Sequence, residues 1–326
     1  MHIKFLDLLC DPLDKSKLTL TNEIKVGNKI ISGKLESNNS SYEIINGIPR
    51  FVSSKNYSSS FGFEWHRWPK VQFESENINK PMENHTRNMF DKITEFQENI
   101  CGEEVFILDM GVGAGRFADI ALEKKFSVIG VDYSNAIDVA ASNLNYDNRD
   151  DILLIQADAL SLPIKNKMVN YVYSIGVLHH TPNPLDGVKE SYRVLKNEGE
   201  FALCVYGKSS HYDFITTQLW RKFFNILSPL AGNIPPLIYT YFAINLIWPI
   251  ARISRILSLP LRLLLPIANL PDKKWSYLDT FDSITPSYQS THTAYEIWRW
   301  LDESKFRKIR PTNWDSTAVK GIKVDI

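Results

Sequence analysis

Residues 107–117 read Ile107-Leu108-Asp109-Met110-Gly111-Val112-Gly113-Ala114-Gly115-Arg116-Phe117. The apolar run Val105 to Leu108 predicts a buried strand, and the apolar stretch Phe117 to Leu122 predicts a helix, with three alternating glycines between them. A strand that runs through a glycine-rich turn into a helix opens a nucleotide-binding crevice at the strand's carboxyl end. Glycine has no Cβ, so the backbone at Gly111, Gly113 and Gly115 can turn sharply and come close to a ligand. A dinucleotide fingerprint would put its third glycine at 116, where this chain has Arg116. The spacing suits a nucleoside with a non-phosphate tail better than a pyrophosphate.

Three further apolar runs repeat the pattern. Phe126 to Val131 ends in Asp132-Tyr133-Ser134, where a carboxylate can accept hydrogen bonds from both ribose hydroxyls and Ser134 can cap the next helix. Ile152 to Gln156 leads to Asp158-Ala159, a place for a carboxylate to receive an adenine amino group. Val169 to Ile175 runs into Gly176-Val177-Leu178-His179-His180. In an open parallel sheet the carboxyl ends of the strands share one edge, so Asp109, Asp132, Asp158 and the histidine pair are expected together. One acid after one strand is ordinary. Four aligned sites are not.

These ordered motifs resemble those of class I S-adenosylmethionine-dependent methyltransferases. Asp109-Met110-Gly111-Val112-Gly113 resembles the family's first motif, and Asp132 its ribose-binding acid. Gln156 to Pro163 resembles the adenine-side segment, Tyr171 to Pro184 the fourth-strand motif, and Arg193 to Glu200 the turn into the fifth strand. That turn usually reads Lys-Pro-Gly-Gly, so Asn197 and Glu198 depart from it in a solvent-facing position. The resemblance spans roughly residues 55 to 326 and implies S-adenosyl-L-methionine as cofactor. The cofactor-binding residues it implies are Asp109, Gly111, Gly113, Gly115, Asp132, Tyr133, Asp158, Ala159 and Ile175. The expected fold is α/β: a seven-stranded Rossmann-like methyltransferase sheet whose last strand is antiparallel, with a helical insertion after the fifth strand and a small amino-terminal β module.

Composition is compatible with that expectation. A chain of 326 residues has room for one large α/β domain plus a smaller module. Lys plus Arg and Asp plus Glu each number 37, a balance that gives no sign of a nucleic-acid-binding protein. Cys10, Cys101 and Cys204 are scattered and odd in number, so no disulfide framework is expected. The acids Asp7, Asp11 and Asp14 around a short apolar stretch do not make a signal peptide, and a cytoplasmic location is expected.

Residues 1–52 resemble a zinc-ribbon module of the kind found beside methyltransferases or fused to them. That pattern wants cysteines at 10 and 13 and a second pair ahead of the tyrosine. This chain has Cys10 but Leu13, and Leu35 and Asn38 occupy the second pair, so the expectation is a degenerate, metal-free module. Residues 53–100 are expected to link this module to a 101–326 methyltransferase domain. Their aromatic run Phe61-Gly62-Phe63-Glu64-Trp65-His66-Arg67-Trp68 either packs between the two parts or, with a helix over Asn84 to Ile100, covers the cofactor. His66 and His85 are expected to be structural or exposed, not catalytic.

The insertion, 208–275, is the most unusual segment. From Phe223 to Pro271 the only charges are Arg252, Arg255 and Arg262, and seven prolines are expected to cut it into helices of about a dozen residues at most. Leu237 to Trp248 comes near span length, with Asn245 and the bracketing prolines arguing against a membrane span. Asp213 to Leu227 predicts an amphipathic helix. The insertion is either a self-packed helical subdomain or a greasy lid or membrane-surface patch that receives a lipid-like substrate, with peripheral membrane association in the second case. After it come a helix over Thr293 to Leu301, with Tyr295, Ile297, Trp298 and Leu301 on its apolar side, and two strands, Phe306 to Thr312 and Ala318 to Val324. Thr280-Phe281-Asp282 and Pro286 to Thr293 resemble a segment of a bacterial methyltransferase subgroup associated with cell-surface polysaccharide or lipid biosynthesis.

The catalytic candidates are His180, which matches a histidine frequent in the family, and His292 and Tyr288 from the tail. A histidine of ordinary pKa near 6.5 can take a hydroxyl proton at neutral pH. His179 is expected to pack beneath His180. The activity expected is O-methylation of a small-molecule, sugar or lipid-linked acceptor. The alternatives are quinone-type ring methylation, or a non-catalytic partner protein that only binds the cofactor. No metal is expected.

Overall fold

The computed structural model describes residues 1–53, 56–99, 102, 104–208 and 211–324, apart from the side chain of His211. Cys101, and the end of the predicted 84–100 helix at Ile100, lie outside the described residues. Four strands come first, β1 (Thr19–Val26), β2 (Lys29–Glu36), β3 (Ser41–Ile45) and β4 (Ile48–Arg50), followed by the helices α1 (Ser59–Arg67) and α2 (His85–Thr94). The alternating core is β5 (Phe106–Met110), α3 (Arg116–Glu123), β6 (Ser127–Asp132), α4 (Ala136–Asn143), β7 (Ile152–Gln156), β8 (Val169–Ile175), α5 (Pro184–Val194) and β9 (Leu195–Cys204). Four helices follow, α6 (Ile215–Ala231), α7 (Ile234–Ile253), α8 (Leu259–Leu264) and α9 (Lys273–Ile284), and then α10 (Ala294–Glu303), β10 (Arg307–Pro311) and β11 (Ala318–Ile322).

The strands from β5 onward lie in the order β7-β6-β5-β8-β9-β11-β10. β5 to β9 pair in parallel and β11 runs antiparallel to both β9 and β10. The central strands are buried on both faces, as their unbroken Val, Ile and Leu runs require. Order reverses between β5 and β8, so the crevice outside the carboxyl ends of those two strands is the place for a ligand.

The sheet has eleven strands, not seven. The amino-terminal module is a β1–β4 meander that extends the same sheet: β4 pairs in parallel with β7 through Arg50 and Gln156, and Phe51 N–H donates to the Gln156 carbonyl at 2.8 Å. This pairing covers the edge that β7 would otherwise expose. Phe5, Leu9, Ile30, Leu35 and Ile44 share one core with Leu153, Ile155 and Ile164.

Nothing in the structure supports the zinc-ribbon likeness. No group of three His, Cys, Asp or Glu that could hold a metal ion converges among the described residues, and Leu13 points into solvent. What ties the 10–13 loop to the 37–42 loop is buried Asp11. Its carboxylate accepts from Ser37 Oγ (2.6 Å), Tyr42 Oη (3.0 Å) and Leu13 N–H (2.8 Å). Burial raises the Asp11 pKa, but these hydrogen bonds outweigh it and hold the carboxyl below its usual range. Hydrogen bonds to an ionised group contribute about 1.5–3 kcal/mol each and are not additive, so Asp11→Ala is expected to destabilise the chain by about 3 kcal/mol. Denaturant unfolding at pH 7 reads this directly. A loss under about 0.5 kcal/mol, the level of an ordinary surface substitution, would mean Asp11 ties nothing together.

The helical segment departs from the sequence reading in length. α6 has 17 residues and α7 has 20, well past a dozen. Pro235 and Pro236 sit in the first turn of α7, where no N–H is missed, and Pro229 and Pro249 fall near the carboxyl ends of their helices. α7 is long and apolar enough to cross a membrane by length and composition, so Asn245 and the prolines do not exclude a span-length helix. One row of α7, including Tyr239, Ala243 and Ile247, packs with Phe224 and Ile284. The amphipathic pattern of α6 also reads differently. Ile215, Leu219, Phe223 and Ile226 face solvent, while Thr217 and Phe224 are the buried positions.

Two smaller elements are trimmed. α2 covers residues 85–94 only, ending where Glu95 turns left-handed at φ 54°. In α10, Ile297 and Leu301 are buried, but Tyr295 and Trp298 are exposed.

Candidate active site

A cavity of about 280 Å³ lies over the carboxyl ends of β5, β6, β7 and β8. α1, α2 and α9 supply its other walls, including Phe61, Glu64, Trp65, His85, Trp275 and Asp279. Of the residues assigned to the cofactor from sequence, Gly111, Gly113, Asp132, Tyr133, Asp158, Ala159 and Ile175 line it. Asp109 and Gly115 do not. Asp109 is the fourth residue of β5 and turns to the side of the strand where Tyr173 lies, so it supports the turn from behind. Gly115 is the left-handed residue that starts α3.

The glycine turn is as tight as its sequence demands. Gly111 has φ +94°, and a Cβ there would stand 2.3 Å from Val177 Cγ2. The first turn of the β8–α5 connection therefore rests against the backbone of the β5–α3 turn. Gly113 N–H donates to Asp132 Oδ2 at 2.9 Å, and Asp132 Oδ1 accepts from Ser134 N–H (2.8 Å) and Ser134 Oγ (2.7 Å). Asp132 is thus fixed at the tip of β6 with one lone pair of Oδ2 left for a ligand. Burial raises its pKa. Asp158 is held at the end of β7 by Leu160 N–H at 2.8 Å, and burial raises its pKa too.

The aromatic segment packs against α9 and the cavity, not between the amino-terminal strands and the core. Trp68 and Phe63 pack on Phe281, while Phe61 and Trp65 line the cavity. Gly62 allows α1 to sit directly on the start of α4, since a Cβ there would collide with Asn135 Oδ1 at 1.7 Å. His85 lines the cavity rather than serving only as packing, with its ring edge-on to Trp275 and Trp314. His66 turns Nδ1 to the Gly62 carbonyl at 2.7 Å.

His180 is buried in the cavity wall against Phe61. Its Nδ1 lies 3.1 Å from the Tyr288 carbonyl oxygen. A carbonyl only accepts, so Nδ1 carries the proton and Nε2 is bare in the neutral ring. Nε2 stands 4.0 Å from Asp282 Oδ1. Burial lowers the His180 pKa, partly countered by Asp282. His179 stacks between His180 and Tyr206, with centroid distances of 4.1 and 3.9 Å, and burial holds it well below the usual histidine range.

His292 and Tyr288 do not line the cavity. His292 turns Nε2 to Ser290 Oγ and its ring to Trp300. The Tyr288 ring is largely exposed against Tyr57, and what this residue offers the site is its main-chain carbonyl.

A buried carboxylate cluster went unread in the sequence. Glu64 from α1, and Asp279 and Asp282 from α9, line the same cavity as Arg116 at the start of α3, close enough for the charges to act on one another. Asp282 also accepts from Tyr206 Oη at 2.7 Å. Burial, then the charge of Asp282, pushes Asp279 up to about 7, against the pull of Arg116. Glu64 is raised well above the carboxylate range by burial and by Asp282 and Asp279. The signal that could have found them is helical spacing: Trp275, Asp279 and Asp282 are i, i+4 and i+7 on one face of α9.

Residues 108–203 match the family model described as a methyltransferase domain. The chain is 29% identical over 116 residues to an uncharacterised chloroplastic methyltransferase of Arabidopsis thaliana, covering 33% of each chain. It is 31% identical over 134 residues to the demethylmenaquinone methyltransferase of Lactococcus lactis, covering 39% of this chain and 52% of that one. The matched stretch thus spans a third to a half of these relatives' length. A phosphoethanolamine N-methyltransferase of Haemonchus contortus, solved with S-adenosylhomocysteine, superposes with a TM-score of 0.45 at 16% identity, over 79% of this chain and 46% of that one. A complex of the Haloferax volcanii Trm112 methyltransferase activator with a methyltransferase gives 0.47 at 12% identity, over 82% and 98%.

The chain therefore carries an S-adenosylmethionine-dependent methyltransferase domain, and the cavity residues fit that cofactor. Gly111 and Gly113 leave room along the turn, and Asp132 has acceptor capacity for a ribose hydroxyl. Glu64 Oε2 and Gln72 Oε1 are buried acceptors in the cavity wall with no partner of their own, open to a donor-rich cationic group. Arg116 can meet a carboxylate.

Proposed function

We propose that this chain is an active methyltransferase that O-methylates a small-molecule, sugar or lipid-linked acceptor in a bacterial-type biosynthetic pathway. The observation that carries the reading is the bare Nε2 of His180, held toward Asp282 in the same cavity as Asp132 and the glycine turn. Bound S-adenosylmethionine supplies an electrophilic methyl group. His180 would take the acceptor's hydroxyl proton at Nε2 as the methyl group passes from sulfur to that oxygen, its C–S bond breaking to leave S-adenosylhomocysteine, and Asp282, 4.0 Å away, would stabilise the imidazolium. The Tyr288 carbonyl fixes the ring through Nδ1–H. Phe61, Trp65 and Trp275 exclude water and offer flat apolar surfaces to the acceptor.

The likeness to a demethylmenaquinone methyltransferase favours ring methylation of a quinone-type acceptor as the second reading. For residues 1–52, the reading of a metal-free zinc-ribbon-like module rests on the pattern around Cys10 and Tyr42.

The test is incubation of methyl-labelled S-adenosylmethionine with the protein and an extract of its source cells, followed by partition into organic, aqueous and macromolecular fractions. Enzyme-dependent label is expected on an oxygen, in the organic or aqueous fraction. A product labelled on ring carbon would move the assignment to the second reading. No transfer into any fraction, with S-adenosylhomocysteine still bound, would leave a cofactor-binding partner protein.

A further inference from the structure

A soluble surface helix normally turns one apolar stripe inward and a polar face outward. α7 does not. Its inner row is packed, yet its outer row, Ile234, Ile238, Phe242, Leu246 and Ile253, is also apolar and exposed. α6 repeats the arrangement with Ile215, Leu219, Phe223 and Ile226. The turn after α7 adds Ile256, 83% exposed, and Leu257, 68% exposed. Scattered surface apolar residues need no explanation, but whole exposed rows on two packed helices and the turn beyond them mark an interaction surface.

Charge identifies the occupant. The chain as a whole is neutral, but residues 214–271 contain no Asp or Glu and carry Arg221, Lys222, Arg252, Arg255 and Arg262. Lys222, Arg252 and Arg255 are exposed among the apolar residues. Apolar side chains interleaved with cations, and free of acids, match the boundary between acyl chains and anionic headgroups. A span is a poorer match. Tyr239 donates its hydroxyl to the Pro266 carbonyl at 3.0 Å, and α9, which packs beside α7, carries Asp279 and Asp282 into the cavity. Pulling α7 across a bilayer would strip the roof from the site.

We propose that the outer face of α6–α8 docks on the surface of an anionic lipid bilayer, with Ile256 and Leu257 entering the acyl boundary and Lys222, Arg252 and Arg255 meeting headgroup phosphates. The docking itself is argued from the surface of α6–α8, and its link to the acceptor rests on the methyl-transfer reading. It deepens that reading by naming the membrane surface as the place where the acceptor is met.

The test is co-sedimentation of the full chain with phosphatidylglycerol/phosphatidylcholine vesicles and with pure phosphatidylcholine vesicles, with S-adenosylhomocysteine affinity measured in parallel. Binding is expected to be at least about tenfold stronger to the anionic vesicles and to weaken as salt rises. Each surface cation contributes about fivefold, so the neutralised pair K222Q/R255Q is expected to bind about 25-fold more weakly. The exposed-turn pair Ile256→Asp/Leu257→Asp is expected to lose binding while cofactor affinity stays unchanged. Bound protein is expected to be released by an alkaline wash. Three results would overturn the proposal: no preference for anionic vesicles by a chain that binds cofactor normally, retention through the alkaline wash, or vesicle-independent self-association that the turn pair abolishes.

Discussion

Asp132→Ala is expected to weaken S-adenosylhomocysteine binding by about 100-fold. A ribose hydroxyl donating to the free lone pair of the ionised carboxylate contributes about 1.5–3 kcal/mol, and 1.4 kcal/mol is a factor of ten. The same change leaves Gly113 N–H, Ser134 N–H and Ser134 Oγ without the acceptor that now holds the glycine turn against the tip of β6. The direct loss and the loosened turn act in the same direction. Asp132→Asn keeps one acceptor oxygen and is expected to fall between wild type and Asp132→Ala. Titration calorimetry reads all three proteins, with circular dichroism to show that each is folded. NAD, titrated in the same way, is expected not to bind, because the turn carries Arg116 where a pyrophosphate cradle needs glycine. Unchanged affinity in a folded Asp132→Ala protein would sink the ribose assignment.

The parts of this site legible in sequence share one property: each residue is placed by its own strand. A strand, a turn and the first residue beyond it are local events, so Gly111, Asp132, Asp158 and His180 could be set on one edge from apolar runs alone. Glu64, Asp279 and Asp282 reach the cavity only because α1 and α9 fold across it from the two sides of the core, and no local pattern records that crossing. Arg116 shows the difference within a single residue. In sequence it marks a broken dinucleotide fingerprint, whereas in the fold it is a buried cation whose charge acts on Glu64, Asp279 and Asp282 in the same cavity. His292 erred in the other direction: proximity in a motif did not supply the turn that would bring its ring inside.

Helix lengths and faces failed for related reasons. The prolines predict breaks, but Pro235 and Pro236 lie in the first turn of α7, where no N–H is missed, while Pro229 and Pro249 lie inside α6 and α7, whose packing carries each helix past the one i to i−4 bond its proline removes. The period of α6 was visible, yet period alone does not say which side is covered. The eleven-stranded sheet was hidden because pairing between β4 and β7 joins residues about a hundred positions apart through a single register pair, Arg50 with Gln156.

His180→Ala is expected to lower kcat by about 10²- to 10³-fold with S-adenosylhomocysteine affinity within about twofold of wild type, the range for loss of a general base. Alanine also leaves the Tyr288 carbonyl without its donor, so a second variant is needed to separate positioning from proton transfer. His180→Asn supplies an amide N–H to that carbonyl but has no nitrogen that can take a proton, and it is expected to be as slow as alanine. The pH profile gives the independent readout. Burial depresses the His180 pKa below the usual 6.5, so its base form is present at neutral pH and kcat/KM is expected to rise through that depressed pKa and then level off. In both variants this acid limb should vanish. Folding has its own pH dependence here, with a definite sign. His179 and His180 are both harder to protonate folded than unfolded, so their stability contribution is complete above about pH 6.5 and is lost as pH falls through the unfolded value toward the folded one. Unfolding must therefore be followed at each pH, and only a limb that appears while the protein stays folded reports on the base. If His180→Ala turns over at near-wild-type rates with cofactor binding intact, proton transfer falls away. The cavity then works by orientation alone, and the second reading, methylation at ring carbon, gains what O-methylation loses.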